Sequence, residues 1–322
     1  MRLPKFEYIE PKTLREAIKA LSAHPTETLL LAGGTDLLVN MKYGVVKPTT
    51  LINLRSIPKL NYILEEKETL RIGSLISLHD LYTSPLIQEK FPILSQAARE
   101  VGAYAHQVMG TIGGNLCQGN RCRFYNQSPF WRSVRPPCFK TGGEICHVIR
   151  KPKECHSTYC GDMAPVLIAL GARIKVIGPQ GERIFPLKRL YTQNGKKPLS
   201  LRKGEILKEV LVSQSSGKSI YLKWRWRGSI EFPIVSLALY IEKEDNKITL
   251  ARVVFSGLGE GPLEISEIEK RLLGSTLEDS IIDSLSEQVT KLVSPMRTSI
   301  YSPAYKRKMA GILLREGLDK LK

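Results

Sequence analysis

No long apolar run interrupts the 322 residues. The N-terminus, MRLPKFEYIEPKTLREAIKAL, lacks the unbroken apolar stretch of a secretion signal. APVLIALGARIKVIG is interrupted by Gly171, Arg173 and Lys175, far short of a membrane span. A soluble, cytoplasmic protein without a membrane partner is therefore expected. Internal repeats and low-complexity tracts are absent, as are G-x-G-x-x-G and Walker A sequences, so those phosphate-binding fingerprints are excluded. No helix-turn-helix, RNP or zinc-finger pattern occurs. Acidic residues are scarce, 31 against 48 Lys and Arg, giving a net charge of +17. The positive residues are spread along the chain, with modest concentrations at KSIYLKWRWR and YKRKM. That dispersal suits an acidic protein partner better than nucleic acid.

What is present reads as an ordinary globular composition, 42% hydrophobic and 25% charged, on a chain long enough for two or three lobes. Thr13 and Glu16 form a capping box ahead of Leu14, Ala17, Ile18 and Leu21, one apolar helical face. TLLLAGGTDLL follows as a strand, a glycine pair and a Thr-Asp where a helix can begin. TLINL and TLRIG read as strands, SLHDLYTS and FPILSQAAREVG as helices, and GTIGGN as a second glycine turn. GDMAPVLIALG reads as a helix capped by Asp162 and stopped by Gly171, and ARIKVIGPQGERIFPL as a hairpin. Beyond residue 215, long strand-like runs and three helical segments predict a separate α+β domain. Paired glycines permit φ > 0 and let a ligand approach the backbone, so AGGTD and GTIGGN together point to a phosphate-bearing cofactor.

Six cysteines, with no export signal, argue for metal or redox chemistry rather than disulfides. All six (Cys117, Cys122, Cys138, Cys146, Cys155 and Cys160) fall within 44 consecutive positions. Zinc sites usually show C-x-x-C knuckles, and none occurs here. An iron–sulfur cubane takes one thiolate per corner and suits wider spacing, although spacing alone leaves both open.

LLLAGGTDLL, GTIGGNLC, GDMAPVLIALGA and YLKWRWR resemble, in order, the motifs of the medium flavoprotein subunits of the molybdenum hydroxylase (xanthine dehydrogenase) family. The resemblance implies an α+β chain: a two-lobed FAD-binding fold of the vanillyl-alcohol-oxidase type, then a domain resembling the CO dehydrogenase flavoprotein C-terminal domain. The expected lobes are residues 1–55 and 56–215, with the last domain at 216–322. It implies that Leu31, Ala32, Gly33, Gly34, Thr35, Asp36 and Leu37 wrap the FAD pyrophosphate, with Thr111, Gly114 and Asn115 on its other side. Asp162 would bond a ribitol or pyrophosphate-side group. Val101, Cys117 and Leu207 would flank the flavin, and Lys223 would supply a cation near the isoalloxazine ring. Gln107-Val108 and Glu231 depart from the family's frequent Arg-Asn and Asp.

In most such subunits the glycine turn and the GDMAP helix are separated by a short hop, whereas Cys117 and Asp162 here are 45 positions apart. Residues 118–160 therefore read as an insertion, and insertions on rigid scaffolds commonly carry function. One branch, the 4-hydroxybenzoyl-CoA reductases, carries a similar cysteine-bearing insertion, including CRFYNQS and CHVI. That resemblance implies a [4Fe–4S] cluster on Cys122, Cys138, Cys146 and Cys155, with Phe124, Phe130 and Trp131 shielding it. His147 and His156 are lesser ligand candidates, and Cys160 is expected to pack at the loop base. The implied function is an electron relay from ferredoxin through [4Fe–4S] and FAD to [2Fe–2S] clusters on a small subunit and molybdopterin on a large one. The complex would be a dimer of heterotrimers that reduces 4-hydroxybenzoyl-CoA to benzoyl-CoA. The competing readings are a flavin subunit delivering electrons to NAD, and a zinc-stabilised assembly module. Basic residues outnumber acidic ones in the insertion, which suggests ferredoxin docking there, with Arg132 and Arg135 as test positions.

Overall fold

The computed structural model describes residues 2–214 and 216–322. One half of the capping box forms: the Glu16 amide donates to Thr13 Oγ1 (3.1 Å), while the Glu16 carboxylate accepts from the amide of Lys12, one residue before the cap (2.8 Å). The helix that it starts, Leu14–Ala23, buries Ala17 and Leu21 near a three-stranded parallel sheet. That sheet runs in the order Glu7–Ile9, Thr50–Asn53, Thr28–Leu31. Parallel neighbours need crossover connections, which explains why helical segments separate these short strands.

The second lobe is a five-stranded antiparallel sheet, ordered Ile63–Glu66, Thr69–Gly73, Ile206–Ser213, Arg173–Gly178, Gly181–Pro186. The expected hairpin is its last pair, closing at Gly178 opposite Gly181. Glu209, on the central strand, has a side chain 0% exposed, yet it is ionised by its partners. Arg71 Nε stands 2.9 Å away and Lys175 Nζ 2.7 Å, and the Tyr62 hydroxyl donates at 2.6 Å. Burial alone would raise this carboxyl, but those three hydrogen bonds hold it down at about 2.

The C-terminal domain is a four-stranded antiparallel sheet, ordered Leu263–Glu264, Lys247–Ser256, Val235–Glu244, Lys218–Trp224. Its alternation serves two cores. Leu237, Leu239 and Ile241 pack with the helices Ser266–Leu272, Asp279–Leu292 and Pro303–Asp319. Ala238 and Tyr240 join the core of the second lobe. Successive strand residues face opposite sides, so one strand welds both domains. The expected boundary at Ser215 lies outside the described residues. No helix among the described residues is long and apolar enough to cross a membrane.

Two expectations need correcting. GTIGGN is not a plain turn: Ile112–Leu116 is helical, because the Thr111 hydroxyl accepts from the Gly114 amide (3.1 Å) and offsets the glycines' poor propensity. Asp162 precedes the helix Met163–Ala169 without capping it; its carboxylate has other partners.

Candidate functional site

After the strand Thr28–Leu31 the chain turns at Gly33 and Gly34. Gly34 sits at φ +74°, and a Cβ on Gly33 would lie 2.0 Å from the Met109 carbonyl oxygen. The turn is thus pressed against the 106–110 segment as closely as backbone permits. Together these segments form one wall of a cavity of about 510 Å³, within the range of small-molecule and cofactor sites.

Ala32 through Leu37, Val101, Thr111, Gly114, Asn115, Cys117 and Asp162 line this cavity. Three expected residues stand elsewhere. Leu31 lies behind the turn, against Gly34, and Leu207 is buried in the second lobe's core. Lys223, with a side chain 1% exposed, is placed behind Asp162: its Nζ lies 3.0 Å from Asp162 Oδ1 and donates to the Glu100 carbonyl at 2.7 Å. The Tyr221 hydroxyl also donates to Asp162 Oδ1 (2.6 Å). Burial raises the Asp162 carboxyl, and the Lys223 charge opposes that rise. Burial likewise pushes the Cys117 thiol up to about 12, so it stands as a neutral group on the wall.

Several cavity residues escaped the sequence reading. His106 Nδ1 and Gln118 Nε2 are buried without a hydrogen-bond partner, although both residues line the cavity. Orphaned buried polar atoms are costly, and a polar ligand would satisfy them. The cavity's size, its glycine backbone and these two side chains together fit FAD. Ile230, Glu231 and Phe232 reach over from the C-terminal domain as a strap. Ile230 is held at φ +57°, a strained conformation for a β-branched residue, and its amide donates to the Gly102 carbonyl at 2.9 Å. Gln107, one of the departures from the family pattern, donates to the Arg99 and Val101 carbonyls and so supports the wall. Arg121 also lines the cavity, paired with Asp36. Nothing in its sequence context distinguishes it from its exposed basic neighbours.

The insertion enters and leaves through an antiparallel bridge between Arg121 and Thr158. Beyond that neck, Cys122, Cys138, Cys146 and Cys155 line one small cavity, walled by Phe124, Tyr125, Phe139, Ile145 and Val148. All four cysteines are free. Among the described residues, no three or more His, Cys, Asp or Glu side chains form a group that could hold a metal ion. The thiols are thus gathered around one cavity without closing on a single-ion site. In donor chemistry, four thiolates behind an apolar wall fit an iron–sulfur cubane, one per iron. Burial pushes the Cys122 thiol up to about 11, so ligation there would release a proton. His147 and His156 line this cavity too, with His147 Nε2 against the Pro136 carbonyl (2.9 Å) and His156 Nδ1 against Glu260 (2.6 Å). The expected shield is corrected: Phe124 lines the cavity, whereas Phe130 is 73% and Trp131 57% exposed on the helix Pro129–Ser133. Cys160 is buried at the loop base, as expected.

Comparison with known proteins matches this architecture. The family model for the FAD binding domain in molybdopterin dehydrogenase covers residues 4–214, and that for the CO dehydrogenase flavoprotein C-terminal domain covers 221–321. The glyceraldehyde dehydrogenase medium chain of Sulfolobus acidocaldarius is 26% identical over 319 residues, spanning 99% of both chains. The aldehyde oxidoreductase FAD-binding subunit of Escherichia coli is 29% identical over 317 residues, spanning 91% of this chain and 95% of that one. The solved structure of carbon monoxide dehydrogenase from Hydrogenophaga pseudoflava shares the fold, with a TM-score of 0.84 at 24% identity, over 100% of this chain and 98% of that one. The FAD-domain model spans well over half of the sequence, and the second model takes up where it stops; the chain belongs to the FAD-binding medium subunits of the molybdenum hydroxylase and CO dehydrogenase family.

Proposed function

We propose that the chain is the electron-transfer subunit of a molybdenum enzyme resembling 4-hydroxybenzoyl-CoA reductase. It stands between a ferredoxin donor and two partner subunits, one small with [2Fe–2S] clusters and one large with molybdopterin, in a dimer of heterotrimers. The large subunit would carry out the reductive dehydroxylation of 4-hydroxybenzoyl-CoA to benzoyl-CoA. The observation that carries this reading is the gathering of four free thiols around one cavity, beyond the Arg121–Thr158 neck whose Arg121 lines the FAD cavity.

The roles proposed for individual residues take up the family resemblance of their motifs. Backbone amides of Ala32 to Leu37 hold the pyrophosphate of FAD, with Leu31 packed behind the turn, and Thr111, Gly114 and Asn115 close its other side. FAD, when bound, exchanges electrons singly or in pairs. Val101 and Cys117 present apolar or neutral surface beside it, with Leu207 packed behind. Lys223 acts through Asp162 and lowers the cost of a buried carboxylate on the wall. Cys122, Cys138, Cys146 and Cys155 ligate a [4Fe–4S] cluster, which supplies one-electron chemistry.

The test is metal and sulfide analysis of the purified protein, with EPR after reduction. The reading expects about four irons and four acid-labile sulfides per chain. Cys138→Ser should remove the iron while FAD remains bound. Zinc without sulfide would establish the assembly-module reading instead. A second reading, a flavin subunit that delivers electrons to NAD, is favoured by the relatives named as dehydrogenases. Rapid flavin reduction by NADH but not by ferredoxin would select it.

A further inference from the structure

Arg121 occupies an unusual position between the two cavities. Its side chain lines the FAD cavity, and the next residue, Cys122, lines the thiol cavity. The guanidinium pairs with Asp36 of the glycine turn and lies 4.8 Å from the ring of Phe232 on the strap. It thus touches the two elements, from opposite ends of the chain, that close the cavity. A third contact reaches Asn40 Oδ1 (3.4 Å), on the helix Leu37–Lys42 that follows the glycine turn.

Asn40 extends the connection in both directions. Its Nδ2 donates to the Asp36 carbonyl at 3.0 Å, and its Oδ1 also accepts from Asn126 Nδ2 at 3.4 Å. Asn126 Oδ1 in turn accepts from the Cys122 amide at 2.9 Å. The backbone of Arg121 is fixed as well, donating to the Thr158 carbonyl at 2.7 Å and accepting from the Thr158 amide at 2.9 Å. A closed polar ring therefore runs Arg121, Asp36, Asn40, Asn126, Cys122 and back through the peptide bond. Cys122 joins that ring through its amide and leaves its thiol for the second cavity, and of the ring's members Asp36, Asn40 and Arg121 face the FAD cavity.

We propose that Arg121 is a positioning residue that couples the thiol site to the FAD cavity, so that filling the first tightens the second. Ligation at Cys122 fixes its amide and, through Asn126 and Asn40, the ring that holds the Arg121 guanidinium. The guanidinium then holds Asp36 and Phe232 in the geometry that closes the FAD cavity. Thermodynamic reciprocity requires that bound FAD favour cluster retention by the same factor. A fixed charge there would also bear on both redox centres, which a plain structural ion pair on the surface would not do.

This inference rests on the two-site reading above, and the test separates them. FAD dissociation constants are measured by flavin fluorescence on the full chain, with iron present and after chelation, for wild type, Arg121→Lys and Arg121→Gln. Wild type should lose about tenfold in FAD affinity on iron removal, comparable to losing one charge-assisted contact. In Arg121→Gln the affinity should already be about tenfold weaker and insensitive to iron, with an altered EPR signature, and Arg121→Lys should recover part of both. Asn126→Ala, which leaves every FAD-cavity residue in place, should also uncouple the sites, and it stands in if Arg121→Gln does not fold. An equal effect of iron in wild type and both variants overturns the coupling alone. A wild-type protein without iron and sulfide overturns the two-site reading, and the coupling with it.

Discussion

Glu209 owes its ionised, fully buried state to side chains from three separate segments, Tyr62, Arg71 and Lys175. With its carboxyl held near 2, below the ordinary value of 4.5, it contributes stability that is fully present above about pH 4.5. That contribution is lost as the pH falls through the folded-state value. Glu209→Gln should cost about 3 kcal/mol at pH 7, since it leaves two half-buried cationic partners uncompensated. Urea denaturation of both proteins should show that gap narrowing between pH 5 and pH 2. A constant gap would refute the ionic account. None of this was legible in ILKEVLVS, because the partners of Glu209 come from far along the chain. Lys223 illustrates the same limit: its strand position was readable, but its burial behind Asp162 depends on the packing of two domains. By contrast, the Thr13 cap was legible because its bond to the Glu16 amide closes within four residues.

At the level of elements, local chemistry carried most of the reading. The 173–186 hairpin, the helix stop at Gly171 and the strands of the last domain all follow from short-range pattern. GTIGGN failed for a local reason too, since one threonine hydroxyl outweighed the glycine pair. The glycine turn at Gly33 was found, but its function as a contact surface for the 106–110 segment was not. That close approach leads to a specific expectation. Gly33→Ala must push the turn away from the Met109 carbonyl, because the added carbon would sit 2.0 Å from that oxygen. The variant should purify with far less FAD, by absorbance, while its circular dichroism stays that of the parent. Full flavin content would show that the approach is not needed for binding. The strap at Ile230 to Phe232 stayed hidden because its strained backbone serves a cavity built mainly by residues a hundred positions earlier.

Across the whole molecule, the +17 charge is only partly a surface property. Within the insertion, Arg121 is paired with Asp36 and Lys140 Nζ lies 4.9 Å from the Tyr125 ring. Arg132 is spent on carbonyls, including that of Gly44 at 2.8 Å, and clamps the insertion to the first lobe. Arg123, Arg135, Arg150, Lys151 and Lys153 remain exposed, as do the aromatic rings of Phe130 and Trp131. Arg132 is therefore the wrong residue with which to probe donor docking. Arg135→Glu with Lys151→Glu should slow reduction by an acidic ferredoxin severalfold at low salt and flatten its ionic-strength dependence, as stopped-flow measurements would show. Unchanged rates would move the docking surface elsewhere. The neck between Arg121 and Thr158 has a broader consequence. Because the segment leaves and rejoins the scaffold at paired residues, its two ends are neighbours, and its length can change without parting the strands and helices on either side. What such a change would forfeit is the set of contacts the segment makes with the first lobe, those of Arg121, Asn126 and Arg132.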